Sequence, residues 1–117
     1  MSTTCTALIV PARLSQPVRT ETIDASLPTL QALVEGNIEA ITRGDWHAYL
    51  NDEGKIINLP ANIRAGHLFR ETGLYLADIF CGDVVFLGHG DHGDEADAPA
   101  YLIRLAEQLF STDLTAA

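Results

Sequence analysis

Long apolar runs, cysteine and lysine are scarce in this chain, and each scarcity excludes something. No stretch approaches the roughly 20 consecutive apolar residues of a membrane-crossing helix, so no helical span is expected. The start, Met1 to Cys5, lacks the basic opening and long apolar segment of a secretory signal, which points to the cytoplasm. Cys5 and Cys81 are the only cysteines, far apart in apolar contexts and outside any C-x-x-C motif. Such thiols are expected to be free, buried and unreactive. Lys55 is the only lysine, and its place after a turn predicts exposure. Also missing are G-x-G-x-x-G, a phosphate-binding loop with its lysine, and G-x-S-x-G. Each would have supplied a known chemistry, so the expectation is a non-enzyme without cofactor.

Bases are few as well. Seven Lys and Arg face 16 Asp and Glu, for a net charge of −9. The imbalance is uneven: residues 1–20 hold Arg13 and Arg19 with no acid, whereas residues 78–117 hold eight acids against Arg104 alone. Such a surface repels phosphate backbones, which argues against nucleic acid as the main partner. Acidity of this kind either keeps a small protein dissolved or faces a basic partner.

What is present suits one α+β domain over residues 1–117, with 1–4 and 112–117 frayed. At 117 residues and 47% hydrophobic content the chain can bury a core without metals or disulfides. Leu8-Ile9-Val10 predicts a buried strand, and Val18 to Ile23, rich in β-formers, an edge strand. Ser26 and Pro28 open a helix over 27–35, which Gly36 ends. Ile38–Thr42 and Trp46–Leu50 follow as strands around Gly44-Asp45. Asn51-Asp52-Glu53-Gly54 is a second turn signal, predicting a hairpin between Tyr49-Leu50 and Ile56-Ile57. Asn62 caps a helix reaching Glu71, and Asp83–Leu87 is the clearest buried strand. Asp97 is the expected cap of a last helix, 98–110, with Leu102, Leu105, Ala106 and Leu109 at helical spacing. Helices among hairpin-linked strands predict a small antiparallel or mixed sheet with about three helices on one face, a single pair of layers.

One constellation invites a chemical reading. The loop from His89 to Asp97 offers His89, His92, Asp91 and Asp94 as metal ligands of mixed imidazole and carboxylate type. Its spacing matches neither H-E-x-x-H nor the twelve-residue calcium loop. With Asp97 serving the helix, Asp91, Asp94 and Glu95 are left to form a partner-facing acidic surface. His47, between Trp46 and Ala48, is expected to face solvent, and His67 to have a surface or half-buried structural role in mid-helix. Asn51, Asn58 and Asn62 suit turns and caps.

Four segments carry a family likeness: Leu30 to Gly36 with Ile38-Glu39, Leu50 to Lys55, Leu59 to Ala65, and Gly82 to Gly88. In order and spacing they resemble the small actinobacterial and bacteriophage proteins of domain-of-unknown-function family 3846, over roughly residues 28–105. The resemblance implies a phage or prophage accessory protein in the host cytoplasm and supplies no site residues. The expectation is therefore a non-enzymatic accessory protein that binds a host protein with a basic surface, for takeover or counter-defence, with self-association open. The alternatives are a binder or sponge for a small anionic or nucleotide ligand, which requires two or three converging arginines, and a metal-dependent enzyme using the 89–97 loop.

Overall fold

The computed structural model describes residues 4–54, 56–74, 79–90 and 94–114. Its centre is β5 (Val84–His89), whose first five residues are all buried. This is the run that reads as apolar on both faces in the sequence, and it takes the position where both faces are covered. β1 (Thr4–Val10) pairs antiparallel with β5 on one side, and β4 (Trp46–Asn51) pairs antiparallel on the other. β2 (Arg19–Asp24) and β3 (Ile38–Arg43) form the edges, giving the order β2-β1-β5-β4-β3. A two-residue strand, β6 (Glu95–Ala96), pairs with the far end of β5. The fold is α+β with an antiparallel sheet.

The helices divide between the two faces, so the predicted two layers become three. α1 (Leu27–Val34) lays Leu30 and Val34 on Cys5, Ala7, Ile9, Val85 and Leu87. α2 (Ile63–Glu71) and α3 (Ala100–Phe110) cover the other face, where Leu68, Phe69, Leu102 and Ala106 meet Leu8, Val10, Trp46, Ala48 and Phe86. The two sets alternate along each strand, as a pleat requires. In α3 the innermost residues are Leu102 and Ala106, with Leu105 and Leu109 partly buried beside them. Among the described residues no helix is long and apolar enough to cross a membrane.

Three local expectations are corrected. Trp46–Asn51 does not turn back through Asn51–Gly54 into a second hairpin, and the hairpin partner of β4 is β3, through Gly44 and Asp45. Asn51 serves two places: its Oδ1 accepts from Glu53 N–H at 2.8 Å within the turn, and its Nδ2 donates to the Val34 and Glu35 carbonyls at 3.1 Å each, closing the end of α1. Residues beyond it wind through successive turns, and Ile56 and Ile57 lie 79% and 48% exposed. Asp97 does not cap α3, whose N-terminal flank is Pro99. Its Oδ1 accepts from the Thr6 N–H at 2.7 Å while Ala98 N–H donates to Thr6 O, stitching the chain after β6 to β1. His47 is buried, because the opposite face of β4 is covered too.

Candidate functional site: an acidic groove at the end of the sheet

Two polar arrangements stand out, one sealed and one open. The sealed one lies on the α1 face. His47 Nε2 faces Glu95 Oε1 at 2.7 Å, and the Tyr49 hydroxyl donates to the same oxygen at 2.8 Å. His89, exposed at the end of β5, sets its ring edge-on to His47 with centroids 5.5 Å apart. Burial, and then the bond to a carboxylate, push the Tyr49 phenol far above its usual value, because its ionisation would set two anions side by side. Glu95 thus has a structural duty that the sequence reading did not give it: it ties β6 across β5 to β4. Its second oxygen, Oε2, is buried with no partner among the described residues.

This outcome rearranges the expected loop. Of the partner-facing trio, Glu95 turns inward, Asp94 is exposed, and Asp91 lies outside the described residues. Of the expected metal ligands, His89 and Asp94 are described, whereas Asp91 and His92 are not. Among the described residues no group of three or more His, Cys, Asp or Glu is arranged to hold a metal ion. Lys55 also falls outside them. His67 is half-buried on α2 and faces Glu71 at 3.5 Å, within the surface or half-buried placement expected of it.

The open arrangement lies on the opposite face, past the reach of α2 and α3, where β4 ends. A groove of about 240 Å³ is floored there by Leu50, Phe80 and Cys81. Its walls carry three carboxylates: Glu39 from β3, and Asp52 and Glu53 from the turn after β4. Ile56 and Ile79 stand at its rim, 79% and 65% exposed. No basic side chain lines it among the described residues.

Backbone contacts hold both walls. Gly54 lies so close to Cys81 that an added Cβ would stand 2.5 Å from the Cys81 carbonyl oxygen. The chain after the turn folds back through Leu59 N–H to Gly54 O, and Ala61 bridges to Cys81. Asn62 N–H then donates to Phe80 O at 2.7 Å. Cys81 is half-buried, not sealed in the core as its apolar neighbours suggested. Turn residues around an Asn-Asp-Glu-Gly signal were visible in the sequence. Their meeting with residues 79–81 was not, because it depends on a bridge across 20 positions.

Three of the six arginines are engaged within the fold. Arg64 spends one Nη on the carbonyls of Pro11, Arg13 and Gln16, at 2.7, 3.1 and 2.7 Å. Arg43 donates to Thr72 O, and Arg19 pairs with Glu21 on its own strand. Burial lowers the pKa of Arg64, an effect that Asp83 opposes.

No curated protein and no solved structure matches the chain. A family model does, the domain of unknown function DUF3846, over residues 5–111, and the chain belongs to that family.

Proposed function

We propose that this is a non-enzymatic binding protein, and that its groove takes a segment of another protein presenting lysine or arginine beside an apolar side chain. The observation that carries this reading is the pairing of three carboxylates with two exposed isoleucines around one cavity. Lone exposed apolar residues need no explanation, whereas two of them flanking a cavity suit an interface. Carboxylates around them would steer a basic partner and fix its orientation. In the phage or prophage setting that the sequence resemblance implies, the partner is a host protein.

The sponge for anionic ligands is less well supported, since that chemistry needs donors converging on one cleft. Here the cavity is acidic and three of the arginines are engaged elsewhere. The acidic loop before α3 is a weaker docking surface than the groove, because Glu95 is occupied within the fold.

The test compares the chain with an Asp52→Asn/Glu53→Gln/Ile56→Ser variant as bait in host lysate. All three residues are exposed, so stability should stay within about 0.5 kcal/mol. The natural chain should retain a protein with a basic surface in low salt, and the variant should not. The retention should fade as salt rises, since exposed charges are screened within about 8 Å at physiological ionic strength. Equal retention by both baits, or recovery of nothing but a small anionic ligand, would overturn the proposal.

A further inference from the structure

We infer that the outer edge of β3 pairs with the same edge of a second copy of this chain, joining two sheets into one. β3 ends the sheet, and among the described residues no strand lies on its far side. Exposed edges are templates for pairing, and proteins usually blunt them with proline, bulges or inward charge. β3 carries neither proline nor bulge: its six residues pair with β4 in unbroken register, from Ile38↔Asn51 to Arg43↔Trp46, and its two charges, Glu39 and Arg43, are of opposite sign. The other edge, β2, has its Arg19 already engaged by Glu21.

The sequence of β3 is self-complementary in one antiparallel register. Centring the pair on Ile41 sets Glu39 opposite Arg43 of the second copy, twice by symmetry, and Ile41 opposite itself. Directly opposed residues share a face, and opposite charges so placed stabilise a sheet whereas like charges weaken it. All three residues share the face of Trp46, Ala48 and Leu50, the positions opposite them in β4. Ile41 already packs on the core of that face, so its contact with its counterpart would extend apolar packing across the junction. A two-fold axis normal to the sheet would keep both grooves on one side. The dimer would then present two binding sites together and gain from bivalency. Glu39 also lines the groove, so the pairing takes up one of its three carboxylates, and it is tested by association alone.

Sedimentation equilibrium of the full chain at low salt tests it, with Glu39→Arg, Arg43→Glu and the double exchange. The natural chain should show a dimer as concentration rises. Each single exchange opposes like charges at two crossings and should weaken association about tenfold. The double exchange should restore it. Arg43 also donates to Thr72 O, so Glu39→Arg, which leaves that bond alone, is the decisive single variant. Circular dichroism of each variant checks the fold. A natural chain that stays monomeric, a dimer indifferent to Glu39→Arg, or a double exchange no better than the singles would each overturn the inference, the second by placing the contact on another surface.

Discussion

Replacing Phe86 by alanine should cost about 3–5 kcal/mol, the range for truncating a buried phenylalanine. Phe86 is fully buried in the middle of β5, with β1 on one side and β4 on the other. Its ring centroid lies 5.5 Å from Trp46 and 5.3 Å from Phe69, so it links the sheet to α2. Aromatic contacts of this kind add about 0.5–1.5 kcal/mol beyond the area they bury. Total stability for such a domain is on the order of 5–15 kcal/mol, so the change removes a large fraction of it. Chemical denaturation of Phe86→Ala measures the loss, with Ile56→Ala as the exposed control. A loss under about 1 kcal/mol would mean that the ring is not in the core of this face.

Asn62 is the second position with a large expected effect, and the reason is polar. It is 2% exposed and makes three side-chain bonds. Oδ1 accepts from Ala65 N–H at 2.9 Å, which caps α2. Nδ2 donates to Val10 O at 2.8 Å and to Gly82 O at 2.9 Å, tying the end of β1 to the approach to β5. Truncating the cap alone costs about 1 kcal/mol. Leaving buried carbonyls without donors adds about 1–3 kcal/mol, so Asn62→Ala should lose about 3 kcal/mol in all. Asn62→Asp separates the two roles. It keeps the cap acceptor but turns a carboxylate oxygen toward two carbonyl oxygens, and should be at least as damaging as alanine. An aspartate variant as stable as the natural chain would show that the cap alone matters.

Much of this fold is legible in the sequence because local chemistry and tertiary need agree. β5 reads as continuous apolar residues, α3 as a stripe at helical spacing, and Asn62 as a cap. The misreadings share a cause. Asn51 opens a tight turn as it looks to, its Oδ1 accepting from Glu53 N–H, yet its amide Nδ2 serves α1, and the hairpin predicted beyond it is replaced by further turns. The alternation of Trp46, His47 and Ala48 suggests one wet face, a rule that holds only where helices cover one side. Here α1 takes the second face, and His47 finds Glu95 there. Short-range patterns carry no record of such partners. The same limit hid the groove, whose carboxylates come from β3 and from the turn after β4, and whose floor comes from residues 80 and 81.

The most direct test of the groove as a binding surface uses its own thiol. Cys81 lines the groove and is half-buried, whereas Cys5 is 3% exposed. Burial raises the Cys5 pKa, as do the nearby Asp97 and Glu95, which leaves it with little reactive thiolate. An alkylating reagent should therefore label Cys81 before Cys5 in the native chain. With the captured basic partner added to saturation, the rate at Cys81 should fall while that at Cys5 stays the same. An unchanged rate at Cys81 under saturating partner would place binding elsewhere and contradict the assignment of the groove.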